Sequence, residues 1–414
     1  MKRTTTLAIV LTLTFAHLSN DLFQTFFQAI YPQLKESLLL TFTQIGFITL
    51  TFQFTSSICQ PLVGIATDRR PFPYLLPIGM FLALIGVAMI SFAQSFSAVL
   101  LSVGFIGLGS AVFHPEASRL VFMVSGARLG FFQSLFLVGG NVGGSLGALM
   151  AAIFIAPYGH GRSIWLTPIA IFTMIIMLPI CRWYSRNLNC MKYPQKEKDS
   201  KTSSDLQSDS NIDSSLESGE EGSVVLSRSA VWGSLAILMT LIFSKYIYLA
   251  CFRSYYTFYL IELYGISVRW SQTYLFLFLI AIGTGTLVGG HVGDYIGRKY
   301  VIWVSILGAF PFTICIPFVH SLFWTCVLSM LAGFILSSAF SAILLYAQEL
   351  FPGRVGMIAG LFFGLAFGVA GVASVVLGIV ADKYGIDFVF GICSLLPLLG
   401  LTTYLLPDLG RGKL

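Results

Sequence analysis

The amino-acid sequence predicts an all-α membrane protein: twelve transmembrane helices in two six-helix bundles related by pseudo-two-fold symmetry. Three observations predict it. First, the chain has 414 residues, 56% hydrophobic and only 10% charged, with a mean hydropathy of +0.84; a soluble domain carries about 25% charged residues. Second, the apolar residues fall in runs long enough to cross a hydrocarbon core of roughly 30 Å, which takes about 20 helical residues. Third, landmarks of the first half recur in the second at one fixed offset. The runs are apolar nearly all round, which excludes the alternating strands of a membrane barrel.

The predicted spans are 7–30, 43–67, 73–93, 96–118, 128–155, 164–185, 228–261, 270–295, 299–319, 322–349, 354–381 and 386–406. The first follows Lys2 and Arg3 in the manner of a signal peptide. It continues past His17 and Asp21 with no small-x-small cleavage site after its apolar core, so it reads as an uncleaved span. The one long break, 186–227, contains "KEKDSKTSSDLQSDSNIDSSLESGEEGS". A Ser-rich acidic stretch almost free of aromatics cannot bury enough apolar surface to offset its ordering entropy, so it reads as a flexible linker. The expected domains are thus an N-terminal bundle, 1–185, this linker, and a C-terminal bundle, 228–414.

The repeat is read from three landmarks. Gly64 and Asp68 of "GIATDRR" correspond to Gly290 and Asp294, since 290 − 64 = 226. Arg128 and Gly130 correspond to Arg354 and Gly356, and Tyr158-Gly159 to Tyr384-Gly385, at the same offset. With six spans per half, the halves enter the membrane from the same side, as a parallel repeat about the membrane normal.

Basic residues set the orientation. With the N-terminus inside, the cytoplasmic side collects Lys2, Arg3, Arg69, Arg70, Arg119, Arg128, Arg182, Arg186, Lys192, Arg228, Arg298, Lys299, Arg354, Arg411 and Lys413; the outer loops keep Lys35, Arg162, Arg269 and Lys383. Both termini and the linker are expected in the cytoplasm. The net charge of +6 reflects this sorting and carries no sign of a nucleic-acid partner. The seven cysteines are scattered and form no metal or redox pair. There is no phosphate-cradling Gly-Lys-Ser loop, no His-x-x-x-His pair and no Gly-x-Ser-x-Gly elbow, so neither enzyme chemistry nor ATP drive is expected, and no cofactor or metal.

Polar residues inside the spans carry the functional reading. At 100° per residue, His17, Asp21, Gln24 and Gln28 share one stripe of the first span. A carboxylate facing lipid costs about 2.5–3.5 kcal/mol or more, so the stripe faces the bundle interior. Asp21, with His17 and Glu116, is the expected proton-coupling set. In the seventh span Lys245, Tyr248, Phe252, Tyr256 and Tyr259 share a stripe, with Arg253 nearby. A lysine and tyrosine wall suits an anionic, hydrogen-bonding substrate, and Lys245 is alternatively a salt-bridge partner of Asp21. Gln24, Gln28, Gln53, Ser57, Gln60 and Asn141 complete the expected binding residues.

Gating is expected at the basic ends of the helices. Gly290, Asp294, Gly297, Arg298 and Lys299 form a complete Gly-x-x-x-Asp motif followed by basic residues; the first-half copy, Gly64, Asp68 and Arg69, has Pro71 and no later glycine. In "FHPEASR", Pro115 is expected to bend or end the fourth span and to gather His114, Glu116 and Arg119 at its cytoplasmic end, with "YAQELFPGR" (Gln348, Glu349, Arg354) as a rough counterpart. Arg128 completes the gating set. Glycine every three or four residues in "GGNVGGSLGALMAA" (139–152) and "GLFFGLAFGVAG" (360–371) gives smooth faces for close helix contact.

Taken together, "HLSNDLFQTFFQAIYPQL", "GFITLTFQFTSSICQPLVG", "VFHPEASR", "QSLFLVGGNVGGSLG", "IFSKYIYLACFRSYYTFYL", "GDYIGRKYVIWVSILG" and "SSAFSAILLYAQELFPGRVGMIAGLFFG" resemble the fosmidomycin-resistance exporters of the major facilitator superfamily. The resemblance covers nearly the whole chain except the acidic linker, which is longer than expected. The fifth span departs from the drug-antiporter motif in having no proline between 139 and 150. The resemblance implies a monomeric bacterial inner-membrane antiporter that exports a small molecule against inward proton flow. A proton symporter importing a small organic anion is the alternative; a transporter-like sensor or scaffold, with the linker as docking arm, is a third.

Overall fold

The computed structural model describes residues 3–69, 72–125, 129–187, 228–296, 298–350 and 355–407, and among these there are helices and no strand. The expected linker lies outside the described residues from 188 to 227, as do Arg128 and Arg354. The first half contains α1 (Arg3–Ala29), α2 (Tyr31–Leu38), α3 (Phe42–Gln53), α4 (Cys59–Arg69), α5 (Leu75–Ser91), α6 (Phe96–Ser125), α7 (Leu129–Met150) and α8 (Thr167–Asn187). The second contains α9 (Arg228–Tyr264), α10 (Val268–Ile296), α11 (Arg298–Leu307), α12 (Phe310–Cys315), α13 (Leu322–Ser337), α14 (Ala339–Leu350), α15 (Val355–Tyr384) and α16 (Ile386–Cys393).

Among the described residues ten helical runs are long and apolar enough to cross a membrane, and the shorter apolar helix α5 lies between them. A twelfth crossing is the continuous run of α3, a π turn (Phe54–Ile58) and α4. Starts repeat at the offset read from the sequence: 268 − 42, 322 − 96, 355 − 129 and 386 − 160 all equal 226, the last against the 3-10 turn His160–Leu166 that leads into α8. Gly159 and Gly385 have positive φ, 82° and 87°, at equivalent turns. A side chain is strained in that conformation, which accounts for glycine at both positions.

Some helices differ from the sequence reading. Pro115 neither ends nor divides its span; α6 continues for ten residues beyond it, to Ser125. A membrane helix tolerates an internal proline where neighbouring helices and side chains re-satisfy the freed backbone groups. The second span is interrupted by the π turn, and the ninth and twelfth finish in 3-10 turns (Ile316–Phe318 and Leu396–Leu405).

The end of the molecule that carries the start of α1 and the end of α8 is the basic end; the other is the far end. Among the described residues, the hydrogen bonds that join the two halves lie toward the far end. Asp382 of α15 accepts the Phe42 and Thr43 amides of α3 at 2.7 and 2.8 Å. Those amides are orphan donors of a helix N-terminus, where Thr41 and Gln44 also form a reciprocal capping box. Tyr255 of α9 donates to the Phe42 carbonyl at 3.3 Å, and the Thr49 and Ser254 hydroxyls lie 3.1 Å apart. Gln272 of α10 donates to the Ala29 carbonyl at 2.8 Å. These bonds tie the halves together toward the far end.

Candidate functional site

A cavity of about 410 Å³ lies between the halves. Helix α1 supplies Asp21, Gln24 and Gln28 to its wall; the second span supplies Gln53, Ser56, Ser57 and Gln60; α6 supplies Ser110 and His114. Across from them stand Lys245, Tyr246, Leu249 and Arg253 of α9 and Ser337 of α13. Ser56 and Ser57 belong to the π turn, a local widening of the helix often found at functional sites.

Asp21 is held by three side chains. Its Oδ2 lies 3.3 Å from His17 Nε2, one turn earlier on α1. Its Oδ1 lies 3.1 Å from His114 Nε2 and accepts from Gln24 Nε2 at 2.9 Å. Asp21 thus pairs with two histidines and not with Lys245. The glycine-rich face of α7 creates this arrangement. Gly139, Gly143 and Gly147 rest against the α1 backbone at Thr14, Leu18 and Leu22. A Cβ on Gly140 would fall 2.5 Å from the His17 ring and 2.7 Å from Asp21 Oδ2. Glycine at 140 therefore leaves the space in which the acid and the imidazole meet. Among the described residues this is where His, Cys, Asp or Glu donor atoms converge, within 4.8 Å of one another. The two nitrogens sit at hydrogen-bond length from different oxygens of one carboxylate, an arrangement that shares protons.

The other wall is cationic. Lys245 is 2% exposed and donates to the Ser337 carbonyl at 3.1 Å. Arg253 lines both the cavity and an adjoining recess of about 20 Å³ with Gln28, Thr49 and Gln53. Its Nε is buried with no hydrogen-bond partner among the described residues. Lys245 and Arg253 are eight residues apart on α9, about 12 Å along the axis.

The structure brings together Asp21, His17, Gln24, Gln28, Gln53, Gln60, Asn141, Lys245 and Arg253 of the predicted residues, His17 through its contact with Asp21. It does not bring Tyr248 and Tyr256 there. Both are 1% exposed and stack on Phe252, in an aromatic core with Phe278 and Phe390. The predicted stripe was rotated. The cavity face of α9 is Lys245, Tyr246, Leu249 and Arg253, and Lys245 sits at the seam between the two faces. Nor does Glu116 reach Asp21. It is fully buried, with its Oε2 3.7 Å from Arg119 Nη1, and Arg119 also donates to the Thr67 carbonyl at 2.6 Å. His114 separates from this pair and turns to Asp21, a partnership that the sequence reading missed because it grouped His114 with Glu116 and Arg119 at the cytoplasmic end of the span. The side chains of Asp68, Arg69, Asp294, Arg298 and Glu349 lie outside what the structure describes.

The sequence profile of the Major Facilitator Superfamily matches residues 13–362 and 271–413. The chain belongs to the major facilitator superfamily. It is 48% identical over 409 residues to the fosmidomycin resistance protein of Escherichia coli (strain K12), covering 98% of this chain and 94% of the relative. It is 36% identical over 405 residues to the uncharacterized MFS-type transporter YfnC of Bacillus subtilis (strain 168), with coverage of 98% and 94%. Solved superfamily structures share the fold at low identity. A bacterial homologue of the human lysosomal transporter Spinster, inward-facing and unoccupied, superposes with a TM-score of 0.73 at 13% identity, covering 98% of this chain and 95% of that one. The nucleoside transporter NupG gives 0.70 at 12% identity, covering 96% and 99%. This is a multi-pass membrane transporter of small molecules, from a superfamily of transporters and not of enzymes.

Proposed function

We propose that this protein is a proton-coupled antiporter that exports a small, anionic, drug-like molecule by alternating access. One observation carries the reading: one cavity between the halves has an aspartate between two histidines on one wall and Lys245 and Arg253 on the other. An anion entering the cavity meets Lys245 and Arg253, whose Nε has no hydrogen-bond partner among the described residues, with Gln28 and Gln53 as amide partners. Charge-assisted hydrogen bonds of this kind are roughly twice as strong as neutral ones.

Orientation follows from the sorting of basic residues, which puts the basic end and both termini in the cytoplasm. The cavity then faces the cytoplasm, where an exporter loads. The Asp382 cap and its neighbours break as the halves rock, and the cavity opens outward. Asp21 takes up a proton as substrate leaves and releases it once the cavity faces inward again. The linker between 1–185 and 228–414 tethers the bundles, and both walls come from one chain, so a monomer suffices.

The identity shared with the fosmidomycin resistance protein supports a fosmidomycin-like substrate. The test is expression in a fosmidomycin-sensitive strain, with and without a protonophore. Export predicts resistance that the protonophore abolishes. Import predicts greater sensitivity, and a sensor or scaffold predicts no change. Deleting 196–222 is expected to leave transport intact.

A further inference from the structure

The hydrogen bonds around Asp21 count its protons. His17 Nδ1 lies 2.8 Å from the Phe136 carbonyl oxygen, and His114 Nδ1 lies 2.9 Å from the Ser110 carbonyl oxygen. The Ser110 hydroxyl, 3.1 Å from His114 Nδ1, can turn either to donate or to accept. The two carbonyls only accept, and a lone pair on Nδ1 would face one of them at 2.8 or 2.9 Å, so each Nδ1 carries a hydrogen. In a neutral ring the other nitrogen, Nε2, then bears a lone pair. Both Nε2 atoms face Asp21, one at each oxygen. Each of these contacts needs a proton between its two atoms, and a carboxylic acid supplies one at most. At least one imidazole must therefore be cationic. Every fully satisfied arrangement holds two protons beyond the state of one carboxylate and two neutral rings, and has a net charge of +1. With one proton, two lone pairs face each other at one contact. With none, they do so at both, and the cluster is driven apart.

We infer that the coupling unit is a two-proton cluster, with Asp21 clamped between His17 and His114, and that His114 is its cavity-side member. The inference rests on the reading of Asp21 as proton carrier and adds its partner and stoichiometry. His114 lines the cavity and its side chain is 24% exposed, whereas that of His17 is 7% exposed and stacks on Phe136 with ring centroids 4.2 Å apart. Protons therefore exchange between the cavity and the cluster at His114 and at Asp21.

The surroundings leave this cluster as the titrating unit on its wall. On α7 the facing residues are Gly140 and Asn141. On α8, Thr173 bonds Ser19. Glu116 of α6 is engaged with Arg119. Across the cavity Lys245 and Arg253 of α9 present charge of the sign that favours proton release from a +1 cluster.

The test is the thermodynamic stoichiometry in proteoliposomes, with fosmidomycin as probe and the membrane potential clamped at zero. Net flux stops at the fosmidomycin ratio that balances the imposed pH difference. Two coupled protons give a ratio of about 100-fold per pH unit in the wild type, and loss of one gives about tenfold in His114→Gln, by linkage. Asp21→Asn is expected to show no pH-driven ratio. His114→Asn serves as a second variant if His114→Gln does not remain monodisperse. If neither is monodisperse, the wild-type ratio decides alone. A wild-type ratio near tenfold overturns the inference, and so does a histidine variant that is merely slower at the wild-type ratio, since a structural role changes rate and not balance. Coupling retained in Asp21→Asn removes Asp21 as carrier, a separate failure. Absence of fosmidomycin flux removes the export reading and this inference with it.

Discussion

Asp382 on α15 caps the first turn of α3 in the opposite half: its two carboxylate oxygens accept the Phe42 and Thr43 amides, and the Thr43 hydroxyl adds a bond of 2.5 Å. A helix N-terminus draws negative charge, and losing a cap costs about 0.5–2 kcal/mol. Asp382→Ala is therefore expected to shift the balance toward opening at the far end by roughly tenfold. Spin-label distances between the far ends of α3 and α15 check this, and an unchanged distribution contradicts it.

Gly143 of α7 rests directly on the Leu18 carbonyl of α1, whereas Gly104 of α6 has nothing within 4 Å of a built Cβ. Gly143→Ala forces α1 and α7 apart and is expected to cost about 1–3 kcal/mol by overpacking. Thermal unfolding in detergent should show a lowered midpoint for Gly143→Ala and none for Gly104→Ala. Equal midpoints would remove the packing role of the glycine face.

Arg253 and Lys245 face the cavity, while Tyr256 is packed away from it. Arg253→Gln and Lys245→Gln are each expected to weaken binding of an anionic probe by about tenfold or more, the scale of a lost charge-assisted hydrogen bond. A neutral probe should be unaffected. Tyr256→Phe keeps the stacked ring and is expected to transport at the wild-type level, whereas Tyr256→Ala opens a cavity costing about 3–5 kcal/mol. Binding titrations and thermal unfolding together separate these outcomes. An equal loss for neutral and anionic probes would contradict the cationic wall.

The fold was legible because membrane helices announce themselves by length and hydropathy, and because the offset of 226 residues recurs in the helix starts themselves. The stripe on α1 was legible for the same reason that it is rare: polar groups at that depth must face inward. The face of α9 was not. Tyr248, Phe252 and Tyr256 pattern as well at helical spacing as Tyr246, Leu249 and Arg253, and both faces bury aromatic rings, so periodicity alone cannot choose the one that meets the cavity. His114 was misplaced for a different reason. Pro115 reads as a bend or an end by local rules, which places His114 with Glu116 and Arg119 at the close of the span, yet α6 runs on to Ser125 and turns His114 toward α1. The far-end tie was invisible because Asp382 and Phe42 are 340 residues apart in the chain.

The central claim is that a proton on Asp21 drives a small anion out of the cell. The most direct measurement is fosmidomycin accumulation in inverted membrane vesicles that are acidified inside. Wild-type vesicles are expected to concentrate it above the bath and to lose it when a protonophore is added, while Asp21→Asn vesicles reach only the bath concentration. Equal accumulation by wild type and Asp21→Asn, or wild-type accumulation indifferent to the protonophore, would contradict the account.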